Sequence, residues 1–448
     1  MDEVLAALAD RWAAGEPAGL ATVVATWHSA PRQPGAAMLV AADGTVTGSV
    51  SGGCVEGDLY EVASEVRDTG RPVLRRYGVS DDAAFAVGLT CGGILDVYVQ
   101  RIDTGSFPQL PEVVDAVAAG RPVAVATVVA DRCAGAALPV DGTGAATAPA
   151  AGRVGRRLVI WPNGNGPDTA GADPPARTDT ARTSTARTDT ARTSTAQVST
   201  AREGTGRDGT ARDGAGSAAE RSGAGREGTL GSVRLDDAVT DDARGLLAAG
   251  RTGTLSYGHD GQRRGDDLTV FVASHAPRPR MIVFGAIDFA AAVARAGGFL
   301  GYRVTVCDAR GVFATNARFP DADEVVVEWP HRYLAAEAAA GRLDARTVVC
   351  VLTHDPKFDV PVLAEALRLP LAYVGAMGSR RTHDDRLARL REAGLTDAEL
   401  ARLASPIGLD IGARTPEETA VSVAAEIVSR RWHGTGSPLS ATTGRIHH

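Results

Sequence analysis

The chain has 448 residues, enough for two or three domains, and 44% of them are hydrophobic, enough for real cores. A net charge of −7 and a pI near 5.8 argue against nucleic acid or an anionic membrane as the main partner. No apolar run approaches the roughly 20 residues a membrane helix needs, and the five cysteines form no CxxC pair, disulfide framework or zinc spacing, so a reducing, cytoplasmic location is expected.

Residues 1–15 read as an acidic amphipathic helix, unlike a signal or transit peptide. From there to residue 275 the sequence is duplicated. Ala21-Thr22-Val23-Val24-Ala25 recurs as Ala126-Thr127-Val128-Val129-Ala130. Met38-Leu39-Val40, a turn and Gly48-Ser49-Val50 recur as Leu158-Val159-Ile160, an interruption and Gly231-Ser232-Val233. TGRPVLRRYG (69–78) recurs as AGRTGTLSYG (249–258), and each copy closes on an apolar strand, Ile94 to Val99 and Leu268 to Val272. Each half therefore predicts strand, hairpin, helix, strand, strand.

The copies differ in their glycines and cysteines. The first has Ser51-Gly52-Gly53-Cys54-Val55-Glu56-Gly57-Asp58 after Gly-Ser-Val, and a second thiol, Cys91, followed by Gly92. The second copy continues as an ordinary helix start, with Asp236 and Asp237 near the positive end of the helix dipole. Glycine runs are costly to order and are kept where backbone must turn or let something approach. Glycines that the sister half does without point to a site rather than to the fold.

Here a resemblance emerges. Ser29-Ala30-Pro31-Arg32-Gln33-Pro34-Gly35-Ala36, running on into Ser51-Gly52-Gly53-Cys54-Val55-Glu56-Gly57-Asp58, resembles the N-terminal domain of the XdhC/CoxI family of xanthine dehydrogenase accessory proteins. The likeness covers nearly the whole chain apart from one insert. It implies a chaperone that binds molybdenum cofactor, a molybdenum-carrying molybdopterin that is nucleotide-extended in some cases, and helps load it into a molybdenum hydroxylase. No catalytic residue or metal ligand set follows from it. It implies that Arg32, Gln33, Ser51, Gly52, Gly53, Cys54, Glu56, Cys91 and Gly92 contact the cofactor, with Cys54 near molybdenum or handling sulfur and Glu56 orienting the pterin amide edge. The implied partners are the large subunit of a xanthine dehydrogenase-like hydroxylase and a cysteine desulfurase assisting sulfuration. The family also allows a homodimer, for which the sequence carries no motif.

Residues 163–229 form an insert of different composition. ARTDTARTST occurs at 176–185 and again at 186–195, and Val198 is the one large aliphatic or aromatic residue of the stretch. Such a segment cannot bury enough apolar surface to offset its ordering entropy, so it is expected to be disordered. Interrupting the hairpin between Ile160 and Leu230 costs little if those ends lie together.

The third region, 280–433, predicts a Rossmann-like, doubly wound parallel sheet. Short strands at Met281–Phe284, Arg303–Cys307, Glu324–Val327, Thr347–Leu352 and Leu371–Val374 alternate with helical stretches at Phe289–Phe299, Tyr333–Ala340 and Val360–Leu367. Cys307 and Cys350 sit inside these strands as small core residues. Ligand-facing groups are expected after the strands: Gly285, Asp308, His354, and the Gly378-Ser379-Arg380-Arg381 helix start as an anion cradle. An alternative reading, an NAD(P)-dependent oxidoreductase, uses Gly285 and Asp308. Ile287 argues against it, because it replaces the glycine that lets backbone approach a pyrophosphate. Thr415-Pro416-Glu417-Glu418 predicts a capping box opening the last helix, and residues 434–448 a flexible tail.

Overall fold

A computed structural model describes residues 2–27, 30, 32–78, 93–133, 146–147, 152–162 and 225–443. Cys91, Gly92, Ser29, Pro31 and positions 163–224 and 444–448 lie outside the described residues.

The duplication is real at the level of single hydrogen bonds. After α1 (Asp2–Ala13), the first half runs β1 (Ala18–Trp27), β2 (Ala37–Val40), β3 (Val46–Gly48), α2 (Glu56–Thr69), β4 (Val73–Tyr77) and β5 (Ile94–Ile102). After α3 (Leu110–Ala118), the second runs β6 (Val123–Asp131), β7 (Ala146–Thr147), β8 (Arg157–Ile160), β9 (Arg226–Gly228), α4 (Val233–Ala248), β10 (Gly253–Tyr257) and β11 (Leu268–His275). The sheet orders are β3-β2-β1-β5-β4 and β9-β8-β6-β11-β10, which is one arrangement used twice. The short β7 joins the first sheet beside β4 and so ties the halves together. Each central strand bulges at one residue, Val24 and Val129. At each bulge the neighbouring loop bonds back, Gly35 N to Val23 O and Gly155 N to Val128 O, both at 2.8 Å.

Each sheet has one helix-covered face. Leu59, Val62, Ala63 and Val66 of α2 pack on Val23, Met38 and Val97, while Leu235, Val239, Ala243 and Leu247 of α4 pack on Val128, Leu158 and Val270. Burying each such aliphatic side chain contributes roughly 1.5–3 kcal/mol. The opposite faces turn toward each other. Val24, Leu74 and Tyr98 meet Val129, Ala130 and Phe271 there, and α1 and α3 fill the remaining space.

The repeat register differs from the one expected. β3 ends on Gly48 and β9 on Gly228, both in the left-handed region (φ 84° and 93°), and a Cβ at either would collide with a facing carbonyl, of Ala37 or Arg157. Gly48-Ser49-Val50 therefore corresponds to Gly228-Thr229-Leu230, three residues before the Gly231-Ser232-Val233 expected from the sequence. Shared Gly-Ser-Val letters misled the comparison. The shared backbone requirement is the glycine that lets an edge strand leave its neighbour. For the same reason the last residues of the expected insert, Arg226–Gly228, are an ordered strand paired with β8. Trp161 N bonds Gly225 O at 2.8 Å, so the interrupted hairpin does hold its ends together.

The C-terminal region contains β12 (Arg280–Phe284), α5 (Asp288–Phe299), β13 (Arg303–Asp308), β14 (Glu324–Val327), α6 (Pro330–Ala339), β15 (Val348–Val351), α7 (Pro356–Arg368), β16 (Tyr373–Ala376), α8 (Arg380–Glu392), α9 (Asp397–Leu400), β17 (Leu403–Ala404) and α10 (Pro416–Trp432). All pairs are parallel in the order β14-β13-β12-β15-β16-β17, the doubly wound Rossmann arrangement. Alternate residues of β12 serve the two faces. Met281 and Val283 meet α5 and α10, and Ile282 and Phe284 meet α6 and α7. β16 begins two residues after the expected Leu371, because Leu371 N and Ala372 N are spent on a turn and on Thr347 O. The two-residue β17 is too short to leave a pattern in sequence. The capping box of α10 is present: Glu418 N donates to Thr415 Oγ1 at 3.2 Å and Thr415 N to Glu418 Oε2 at 3.1 Å. Among the described residues, no helix is long and apolar enough to cross a membrane.

Candidate functional site

The antiparallel register gathers the first half's motifs at one end of its sheet. Trp27 pairs with Ile94, Thr22 with Ala37, Met38 with Gly48, and Tyr77 with Leu95. The segments that leave from Trp27, enter at Ala37, leave from Gly48, leave from Tyr77 and enter at Ile94 thus share one edge. These are the segments that carry Arg32 and Gln33 and Ser51 to Glu56, while Cys91 and Gly92 lie outside the described residues.

At that edge, Ser51-Gly52-Gly53-Cys54-Val55 wraps a carboxylate. Glu56 Oε1 accepts from Ser49 Oγ at 2.7 Å, Val50 N at 3.2 Å, Ser51 N at 2.9 Å and Gly52 N at 3.1 Å. Oε2 accepts from Ser51 Oγ at 2.5 Å and Gly53 N at 2.9 Å. Ser51 Oγ in turn accepts from Cys54 N and Val55 N at 2.9 and 3.1 Å. Burial alone would push the Glu56 pKa up, but the Ser49 and Ser51 hydroxyls and the loop N–H groups outweigh it and hold it at about 2. Glu56 is thus ionised and turned into its own loop. The concave set of N–H groups that would suit an outside anion already has an internal one.

The second half keeps this anchor and omits the loop. Asp236, eight residues after Gly228 as Glu56 is after Gly48, accepts from Thr229 Oγ1 at 2.8 Å and Leu230 N at 2.7 Å. Ser232 caps α4, which begins at Val233. By the same register α2 would begin at Gly53, yet it begins at Glu56 without a side-chain cap. The first half has opened one helical turn into Gly52-Gly53-Cys54-Val55, at φ 85° and 120° for the glycines. Both glycines are exposed and a Cβ on either would meet open space, so they serve the conformation and leave bare backbone above. Cys54 is half-buried against the α2 core and its counterpart is Arg234, an exposed helix residue.

Arg32 and Gln33 are exposed on the neighbouring loop, held by Ala36 N to Gln33 O at 3.1 Å. Ala30 and Ala36 belong to the same packed cluster as Cys54, which sets this loop beside the thiol loop. Two residues that the sequence reading passed over join this edge. Arg76 grips Asp96 through two bonds of 2.6 and 2.8 Å and lies 4.7 Å above the ring of Trp27, which is 42% exposed. The available signal was an aromatic at the last residue of a strand, directly before the motif loop. On the α2 side, Arg75 and Tyr77 both hold Asp58, at 2.8 and 2.5 Å.

The C-terminal candidates share the carboxyl edge of their sheet, where parallel strands present ligands. Their groups are largely engaged. Gly285 (φ 112°) lets the first turn pack on Thr353, which a Cβ would meet at 2.9 Å. Asp308 accepts from Ala286 N at 2.8 Å and from Arg310 N and side chain at 2.7–2.9 Å. Burial raises the Asp308 pKa, but these bonds win and hold it below the ordinary carboxylate value. Both Asp308 oxygens are thus bonded within the protein, to Arg310 and to Ala286 N. Ser379 caps α8 through Thr382 N at 3.1 Å, while Arg380, Arg381 and His354 are exposed. Beneath these loops, Arg386 and Asp359 form a buried pair at 3.0 Å that also anchors Thr353 and the Met377 carbonyl. Cys307 and Cys350 are fully buried, and burial pushes the Cys350 thiol up to about 12.

Comparison with known proteins agrees with this division. Residues 11–78 match the XdhC and CoxI family, and residues 281–427 match the XdhC Rossmann domain. The chain is 25% identical over 418 residues to a Bacillus subtilis protein named as a probable subunit of xanthine dehydrogenase, covering 93% of this chain and 94% of that one. It is 34% identical over 181 residues to Escherichia coli YqeB, covering 40% of this chain and 31% of YqeB. It is 30% identical over 171 residues to the Escherichia coli molybdenum cofactor insertion chaperone PaoD, covering 38% of this chain and 46% of PaoD. These last two matches therefore span less than half of each relative. A crystal structure described as a xanthine dehydrogenase from Bacillus halodurans shares the fold, at a TM-score of 0.57 and 22% identity over 98% of this chain and 97% of that one. The first domain is thus similar to the XdhC and CoxI family over residues 11–78, and the second to the XdhC Rossmann domain over residues 281–427.

Proposed function

We propose that this protein is a maturation chaperone that holds molybdenum cofactor as cargo and delivers it to the large subunit of a xanthine dehydrogenase-like molybdenum hydroxylase. The names of two relatives, one a cofactor insertion chaperone and the other a probable component of xanthine dehydrogenase, support that class of cargo and client. One observation carries the assignment to residues: the first half gives up a helical turn that its sister keeps, and exposes Gly52 and Gly53 in its place with the half-buried Cys54 beside them. A flat, oxygen-rich cargo needs bare backbone, a thiol and cationic donors on one surface. The Cys54 loop, Arg32, Gln33 and the Trp27–Arg76 pair supply these. Glu56 acts from beneath, by holding the loop open. His354, Arg380 and Arg381 remain accessible contacts on the second domain. A cysteine desulfurase sulfurating the held cofactor is the finer part of the same proposal. The NAD(P) oxidoreductase reading has less support, because Asp308 and Ala286 N are bonded within the protein.

The test is purification from a cofactor-producing host, followed by denaturation, oxidation and pterin fluorescence. Wild-type protein should carry a substoichiometric pterin signal, and Cys54→Ala should lower it several-fold with an unchanged melting temperature. Equal pterin in both proteins would remove the thiol from the site, and no pterin in either would remove the cargo.

A further inference from the structure

The two halves of the first domain line a partly open cavity of about 110 Å³ between their facing sheets, with none of the Ser51–Glu56 loop in its wall. Its walls are mostly apolar and include Leu8, Leu110, Val125 and Phe271. Six polar side chains break that wall, Thr22, Tyr98, Gln100, Thr127, Arg157 and His275, and of these Tyr98, Gln100 and Arg157 have apolar counterparts in the other half. Tyr98 is 2% exposed, and its hydroxyl has no hydrogen-bond partner among the described residues. The Arg157 guanidinium donates to Gln100 Oε1 and to the Ser106 carbonyl and stacks 4.8 Å from the Phe107 ring. No carboxylate among the described residues pairs with it.

Duplication supplies an internal control. Thr22 pairs with both Ala37 and Tyr98, and its equivalent Thr127 pairs with Arg157 and Phe271. Arg157 therefore stands where the first half has Ala37, and Tyr98 where the second half has Phe271. Gln100, opposite Leu20, stands where the second half has Ala273, opposite Val125. The fold accepts alanine and phenylalanine at these positions. A buried hydroxyl without a partner costs about 1–3 kcal/mol, and the half-buried Arg157 guanidinium has the charge of Asp103 acting on it but no salt bridge to it among the described residues. Burial already pulls the Arg157 pKa down to about 10. An unpartnered hydroxyl, an amide and a guanidinium without a salt bridge around one mostly apolar space form a complementary lining for an anion with an apolar body.

We propose that this inter-half cavity is a second ligand site, which takes a small carboxylate with an apolar body no larger than a single ring. The carboxylate meets Arg157 and the Tyr98 hydroxyl, and the body fills the apolar remainder. The size is of the order of the engineered cavity of about 150 Å³ that holds benzene.

The experiment is calorimetric titration and thermal melting of the full chain with benzoate, benzamide and acetate. Benzoate should bind saturably with a dissociation constant of about 1 mM or tighter and raise the melting temperature. Benzamide, which lacks the charge, and acetate, which lacks the body, should each bind at least about tenfold more weakly. Tyr98→Phe should weaken benzoate at least about fivefold, while the ligand-free variant melts no lower than wild type. Cys54→Ala should leave benzoate binding unchanged, which separates this site from the cofactor loop. Absence of saturable benzoate binding, equal affinity for benzamide, or a Tyr98→Phe protein that melts lower and binds equally well would each overturn the proposal.

Discussion

At the scale of single residues, Glu56 shows how one side chain can carry two jobs. Its bonds to six loop groups between Ser49 and Gly53 make the Ser51–Cys54 backbone a defined surface rather than a loose one. Its folded-state pKa near 2 lies below the ordinary glutamate value of 4.5. A depressed carboxylate stabilises the fold fully above its unfolded value and loses that contribution as pH falls toward the folded value. The difference in stability between wild type and Glu56→Gln should therefore be constant from pH 6 to 8 and shrink between about pH 5 and 2, as read by denaturant melts across that range. Near neutral pH the substitution should cost about 2 kcal/mol and lower pterin retention along with Cys54→Ala. The sequence exposed Cys54 and Glu56 as unusual neighbours, but it suggested similar roles for them. Their division into a half-buried thiol packed on the α2 core and a carboxylate bonded to its own loop depends on which way each side chain leaves a loop of positive-φ glycines. Trp27 and Arg76 escaped notice because their contact joins strands nearly fifty residues apart.

At the scale of elements, the contrast between α2 and α4 is the informative one. Both follow a left-handed glycine and both carry a carboxylate eight residues later, yet α4 starts one turn earlier. Replacing the loop by its sister's sequence (Ser51→Gly, Gly52→Ser, Gly53→Val, Cys54→Arg and Val55→Leu together) should extend α2 by that turn. Leaving one left-handed glycine in place of two and adding a Ser cap should hold or raise stability by about 1 kcal/mol. Pterin retention should fall to background, and a crystal structure or helical content by circular dichroism would report the added turn. The strands and helices of both regions were legible from apolar periodicity. The three-residue slip in the repeat was not, because letters matched where backbone geometry did not. Strand β17 and the true start of β16 were also hidden, since a two-residue strand and a turn at Leu371 leave no period to read.

At the scale of the whole molecule, the hairpin of β8 and β9 decides how the chain tolerates its long insert. Leu158 to Ile160 pair with Gly228 to Arg226, and Trp161 N meets Gly225 O, so the two ends are bonded before the intervening residues are counted. Removing 163–224 and closing the gap with a short Gly/Ser turn should leave the melting temperature within a few degrees of wild type. Loop-closure entropy changes only slowly with length. A large loss of stability would show that the segment packs on one of the domains. The same assembly of equal halves creates the central cavity, which neither half lines alone.

The sequence by itself determined the duplicated first domain, the parallel second one and the thiol loop as the place to look. Each of these rests on local periodicity or on residue types that carry their own backbone preference. Only the tertiary structure decided that Glu56 faces inward, that Asp308 is held by Arg310, and that Tyr98, Gln100 and Arg157 surround one space. The first two depend on how a loop turns a carboxylate back onto its own neighbours, and the third on side chains from separate strands meeting between two sheets, and spacing along the chain encodes neither.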